Sequence, residues 1–104
     1  MPLFGMVLIT CPPEKAEEVA RAMLDKRVAA CINIIQKVSS LYWWENKIES
    51  DNEALLVVKT RIDRFEDLKN YVKEVHPYDV PEIIALPIVT GYKKYLEWVN
   101  TEVK

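Results

Sequence analysis

The sequence has few of the residues from which phosphate-binding loops and metal clusters are built. Its 104 residues include only two glycines, one histidine and two cysteines. Two glycines cannot form a glycine-rich phosphate loop, and no GxSxG, GxGxxG or P-loop motif occurs. We therefore expect no enzymatic activity.

The sequence also lacks an excess of positive charge and a long apolar run. Fourteen basic and sixteen acidic side chains give a net charge of −2, unlike the basic surface of a nucleic-acid-binding protein. No apolar run approaches the ~20 residues of a membrane-spanning helix. The first residues lack the basic start of a signal peptide. We expect a soluble, cytoplasmic protein with no nucleic-acid or membrane partner.

Hydrophobic residues, in contrast, are abundant. They make up 50% of the chain, which is high for a soluble domain of this size. The length predicts a single domain over residues 1–104. This apolar excess indicates that part of the surface is buried against another chain.

The apolar periodicity predicts the order β-α-β-β-α-β followed by a short C-terminal helix. This order is typical of an α+β, ferredoxin-like sandwich. The first and third strands are expected in the centre because they are the most continuously apolar, and Pro87 places the fourth strand at an edge. The predicted strands cover residues 4–10, 29–44, 48–60 and 82–90, and the first two helices end near residues 27 and 75.

The second predicted strand is unusually long. We expect a bend or a bulge near Ser39 and Ser40 and a tight turn at Glu45-Asn46. Several strands are apolar on both faces, and the adjacent Trp43 and Trp44 must face opposite ways. A closed homo-oligomer would cover the second face and the unpaired strand edge.

The candidate metal ligands surround the single histidine. His76 lies close to Asp79 and Glu82, and Cys11 is either a soft ligand or a structural thiol. One histidine and two cysteines 20 residues apart do not match a zinc site. In an oligomer, however, ligands from a neighbouring chain could complete a copper(II) site, since copper(II) accepts imidazole and carboxylate ligands.

A second candidate site is a small-molecule cleft that combines aromatic and charged residues at strand ends. The alternative is that the aromatic rings are buried in an interface and that Lys59-Thr60 is a solvated strand end. The cleft candidates are Tyr42, Trp44, Lys59, Thr60 and Tyr78, beside Glu82.

Three segments together resemble the divalent-cation tolerance (CutA) family. They are LDKRVAACIN at 24–33, YWWENKI at 42–48 and HPYDVPEII at 76–84, and the resemblance covers nearly the whole chain. Two departures are Asn46, where the family usually has glycine, and Thr10-Cys11, where Thr-Thr or Cys-Thr is frequent.

The resemblance implies a ferredoxin-like subunit in a homotrimer that binds divalent metal ions, copper above all, with a role in metal tolerance. His76 carries over most directly as a metal ligand. Such a trimer resembles that of the PII signalling proteins, so a sensor with a small-molecule ligand between its subunits is an alternative function. A purely structural trimeric scaffold is another.

Overall fold

The computed structural model describes residues 3–104, and its elements follow the predicted order. Short 3-10 turns precede the first two helices. This is the predicted α+β, ferredoxin-like arrangement with an additional C-terminal helix. The elements are β1 Phe4–Cys11, α1 Ala16–Asp25, β2 Cys31–Trp44, β3 Lys47–Arg61, α2 Phe65–Val75, β4 Ile83–Ile88 and α3 Lys93–Glu102.

The four strands form one antiparallel sheet in the order β2-β3-β1-β4. β1 and β3 are therefore central, as predicted from their continuous apolar runs. β4 is an edge strand, which accommodates Pro87 opposite Gly5.

One face of the sheet is covered by α1 and α2. Side chains alternate along each strand, so Val7 and Ile9 of β1 point to this face together with Leu56 and Val58 of β3. All four are buried in the main core with the apolar residues of the two helices, including Met23.

Among residues 3–104, the opposite face is covered only at one end, where Phe4 packs against Leu96, Val99 and Val103 from α3 and the residue that follows it. The remaining apolar part of this face is called the uncovered face. On it, Ile84 is 50% exposed and Leu86 is 40% exposed. The strands are thus apolar on both faces, as predicted. The uncovered face comprises Met6, Leu8, Leu55, Val57, Ile84 and Leu86.

The outer parts of β2 and β3 form a long hairpin that projects beyond the other strands. Its turn is the predicted Glu45-Asn46 pair, with φ of 49° and 64°. The predicted bulge is present, and it lies between Ile35 and Val38, slightly before Ser39-Ser40. The extra residue falls in the polar stretch where packing against the helices has ended and no longer fixes the register.

Helix α1 ends at Asp25, two residues before the predicted end. Arg27 adopts a left-handed conformation, with φ of 58°. The N–H groups of Arg27 and Val28 donate to the carbonyls of Leu24 and Met23, at 3.0 and 3.2 Å. This is a Schellman ending in which arginine occupies the position usual for glycine.

Two arginines fasten α3 to the rest of the domain. The guanidinium of Arg61 donates to the carbonyls of Asn100 and Val103 at 3.3 and 3.1 Å. Arg27 pairs with Glu102 at 2.7 Å. These contacts hold α3 over one end of the sheet. None of the helices within residues 3–104 has the length and apolar character needed to cross a membrane.

Candidate functional site

An open cleft of about 650 Å³ lies between the β2–β3 hairpin and the loop that follows α2. We call it the hairpin cleft. Alternation along β3 places Glu53 on the same side of the sheet as Leu55 and Val57, so the cleft adjoins the uncovered face. Its main side chains are Tyr42, Trp44, Asp51 and Glu53 from the hairpin, with Tyr78, Asp79 and Glu82 from the loop.

The hairpin cleft is acidic. Asp51, Glu53, Asp79 and Glu82 line it, and no lysine or arginine of residues 3–104 does. Because like charges gather around a recess partly shielded from water, their field adds up within it. The arrangement is suited to a cation and unsuited to an anion.

Glu53 is the most buried of these carboxylates, with only 6% of its surface exposed. One of its oxygens accepts a hydrogen bond from the Tyr78 hydroxyl, at 3.1 Å. Within residues 3–104 it forms no ion pair. A buried carboxylate usually has a cationic partner, so this negative charge is only partly compensated.

Two tyrosines donate hydrogen bonds to the cleft carboxylates. Tyr42 donates to Asp51, and this bond raises the pKa of Tyr42 to about 12. Burial, followed by the charge of Glu53, raises the pKa of Tyr78 to about 12. Both phenols therefore stay protonated at neutral pH and remain donors.

His76 is buried beside the cleft, and both of its ring nitrogens are engaged. Nδ1 accepts a hydrogen bond from the Tyr78 backbone N–H at 3.1 Å. Nε2 lies 2.7 Å from the Thr10 carbonyl oxygen and donates to it, because a carbonyl can only accept. His76 thus ties the cleft loop to β1 and has no free lone pair for a metal.

Cys11 does not line the hairpin cleft. It is buried in the main core under the helices. Burial, followed by the charges of Glu53 and Glu14, raises the pKa of its thiol from 9.0 to about 11. A buried thiol of this kind packs as a small apolar side chain.

Lys59 and Thr60 do not line the hairpin cleft. The Lys59 ammonium donates to Asn33 and to the Val57 carbonyl on the exposed side of the sheet. The buried Thr60 hydroxyl donates to the Val28 carbonyl, at 2.6 Å. Consecutive strand residues face opposite ways, so this pair cannot contribute to one cleft of a single chain.

Two of the four predicted metal ligands, Asp79 and Glu82, line the cleft and are exposed to solvent. Among residues 3–104, no three His, Cys, Asp or Glu side chains are placed so that they could hold a metal ion. The sequence interpretation missed Asp51 and Glu53. Their signal is the change from apolar to acidic residues on one face of β3, from Leu55 to Glu53 and Asp51.

Comparison with known proteins gives consistent results. A family model described as CutA1 divalent ion tolerance protein matches residues 5–102. Protein CutA of Mus musculus is 48% identical over 93 residues, which cover 88% of this chain and 52% of the mouse protein. The chain therefore spans about half the length of that relative. The divalent-cation tolerance protein CutA of Thermus thermophilus is 47% identical over 96 residues, which cover 91% of this chain and 93% of that protein.

Two solved structures are similar over nearly their whole length. The periplasmic divalent cation tolerance protein CutA from Archaeoglobus fulgidus has a TM-score of 0.94 and 40% identity, covering 97% of this chain and 99% of that one. CutA1 from Oryza sativa has a TM-score of 0.96 and 41% identity, covering 99% of this chain and 95% of that one.

Proposed function

This chain belongs to the CutA1 divalent ion tolerance family, and on that premise we propose that it is a cytoplasmic, non-enzymatic protein that binds divalent metal ions as a homotrimer. Copper(II) is the preferred ion of this proposal. The metal is the bound cargo and takes part in no reaction. The observation that carries the proposal is the acidic hairpin cleft, which offers carboxylate oxygens and no competing positive side chain.

The chemistry of the donors decides which residues can contribute. Asp79 and Glu82 are exposed carboxylates at the rim of the cleft, and divalent ions accept such oxygen ligands. The buried thiol of Cys11 and the fully bonded ring of His76 do not fit. Since one chain does not bring three suitable ligands together within its described residues, a neighbouring copy supplies the missing ligands in this proposal.

The trimer is supported by the apolar surface that a single chain leaves exposed. On the uncovered face, Ile84 is 50% exposed and Leu86 is 40% exposed, and Trp43 is 72% exposed on the opposite face of the hairpin. Large apolar patches of this kind mark contacts with other chains. An assembly that covers them also brings residues of a neighbouring copy towards the cleft.

Copper(II) titration followed by calorimetry tests the metal proposal. The wild type is compared with the double variant Asp79→Asn/Glu82→Gln and with Glu74→Gln, which removes an exposed carboxylate of α2 outside the cleft. We expect the double variant to bind copper(II) at least tenfold more weakly and the control to match the wild type. Equal affinity and stoichiometry in all three proteins would overturn the assignment.

A second candidate function, small-molecule sensing as in the PII proteins, is favoured by the size of the cleft. Its volume of about 650 Å³ lies within the range of pockets that hold small organic ligands. A thermal-shift screen of metabolites tests this function. If no compound raises the melting temperature, the sensor hypothesis is wrong.

A further inference from the structure

We propose that the hairpin cleft binds an organic ammonium group, supplied by a free alkylamine or by a lysine side chain of a second copy. The inference rests on the cleft being a ligand site and is independent of metal binding. It follows from three features of the cleft: a buried carboxylate, aromatic walls and its size.

The buried carboxylate of Glu53 calls for a positive partner. It is 6% exposed, and its carboxylate has one side-chain hydrogen bond within residues 3–104, from the neutral hydroxyl of Tyr78. An ion removed from water is stabilised only if an opposite charge and further hydrogen bonds replace its hydration. An ammonium group supplies both, because it carries one positive charge and up to three N–H donors.

The aromatic walls suit the apolar part of an organic cation. Tyr42, Trp44 and Tyr78 contribute rings to the same cleft. The faces of such rings attract ammonium groups, and the apolar part of the ligand packs against them. An alkylammonium ion uses the rings and the carboxylates together.

The charge of the cleft excludes the opposite class of ligand. Four carboxylates and no basic side chain line it, so nucleotides and organic acids would be repelled. The carboxylates also lie at two depths, with Glu53 buried and with Asp79 and Glu82 exposed at the rim. A diamine can present one ammonium to each level and should bind more tightly than a monoamine of the same length.

The ammonium group has two possible sources. One is a free amine in solution. The other is Lys59 of a second copy, because Lys59 lies on the side of the sheet that a second copy would cover. Both sources present the same chemical group to Glu53, and the experiment below separates them.

The test measures binding of 1,4-diaminobutane, butylamine and the neutral 1,4-butanediol to the full chain by calorimetry at constant ionic strength. We expect the diamine to bind more tightly than the monoamine and the diol not to bind. Glu53→Gln should weaken diamine binding at least tenfold, and Trp44→Leu should weaken it severalfold. Glu74→Gln is the matched control and should bind as the wild type does.

The variant Tyr78→Phe shows whether a loss of amine binding comes from a disturbed loop. It keeps the aromatic wall but removes the one hydrogen bond to Glu53, so amine binding should persist or strengthen. If Glu53→Gln and Tyr78→Phe weaken binding equally, the effect is a general loosening of the loop and the proposal is wrong.

Lys59→Gln identifies the source of the ammonium group. If a free amine is the ligand, the wild type binds the diamine and Lys59→Gln leaves its affinity unchanged. If Lys59 of a second copy fills the cleft, the wild type binds no added amine and the Lys59→Gln variant does. The double variant Lys59→Gln/Glu53→Gln should then lose this amine binding again. The absence of amine binding in both wild type and Lys59→Gln would overturn the proposal.

The same samples separate this inference from the metal proposal. Asp79→Asn/Glu82→Gln should lose copper(II) binding and keep monoamine binding, because Glu53 is intact. Copper(II) affinity that stays at the wild-type value in this variant refutes the metal assignment alone. Amine affinity that is unchanged by Glu53→Gln refutes the ammonium site alone.

Discussion

At the scale of single residues, Cys11 shows how burial changes the pKa of a side chain on the helix-covered face of the sheet. Its thiol has a pKa of about 11 in the folded protein, against 9.0 ordinarily. Between these values the unfolded chain has lost this proton and the folded chain still holds it, so folding becomes less favourable as the pH rises. Through the titration of Cys11, the free energy of unfolding should fall by about 1–3 kcal/mol as the pH rises from 9 to 11.

Melting curves from pH 8 to 11 test this for the wild type and Cys11→Ala. The variant loses packing at every pH, but its melting temperature should fall less steeply above pH 9. Tyr78, whose pKa is also raised, titrates in both proteins and does not affect the difference. Parallel curves would show that Cys11 is not the group responsible.

His76 is predicted to contribute stability rather than metal affinity. His76→Ala leaves the Thr10 carbonyl and the Tyr78 N–H without their side-chain partner. We expect a loss of about 2–4 kcal/mol in the free energy of unfolding, measured in urea at fixed protein concentration. His76→Asn places an acceptor near the position of Nδ1 and should recover part of the loss.

A His76→Ala protein as stable as the wild type would contradict the structural role of this histidine. The sequence predicted a polar loop with Tyr78, Asp79 and Glu82 beside His76, and the structure shows a contact of His76 with Tyr78 of this loop. It could not predict that both ring nitrogens are occupied, since one partner is the carbonyl of Thr10, 66 positions away.

At the scale of elements, the backbone of the β2–β3 turn is strained. Glu45 and Asn46 both have positive φ, as a type I′ turn requires, and glutamate is poorly suited to it. Glu45→Asn/Asn46→Gly should stabilise the protein by about 1 kcal/mol in urea unfolding. Asn46→Val should destabilise it by a similar amount. The reverse order of stabilities would contradict this conformation of the turn.

The order and pairing of the strands could be predicted because continuous apolar runs must be central in a sheet. The ends of elements were harder to predict. Arg27 ends α1 in a conformation that glycine usually adopts, so the sequence carried no stop signal there. The bulge between Ile35 and Val38 follows from where packing against the helices ends, which the sequence does not specify.

At the scale of the whole molecule, the uncovered face predicts how copies associate. Ile84 is half exposed on edge strand β4, where it forms part of the uncovered face beside Leu8. Ile84→Lys should place a charge in the contact and shift the mass in solution from that of the proposed trimer towards that of one copy, as measured by light scattering. Val89→Lys, at a 91% exposed position just after β4, is the matched control and should keep the wild-type mass.

An unchanged mass for Ile84→Lys would show that this face is not the contact between copies. The apolar composition predicted that such a face exists. It could not predict that α3 covers only the end near Phe4, because that depends on how Arg61 anchors the residues of α3 in three dimensions.

The central position of β1 also has a consequence for synthesis on the ribosome. Phe4 pairs with Arg61 on one side and with Ile88 on the other. At a synthesis rate of about 5–20 residues per second, β4 is made several seconds after β1. The β2–β3 hairpin, in contrast, can form by itself. During that interval the nascent chain displays an apolar strand with an open edge, so β1 is the segment that a chaperone would be expected to protect.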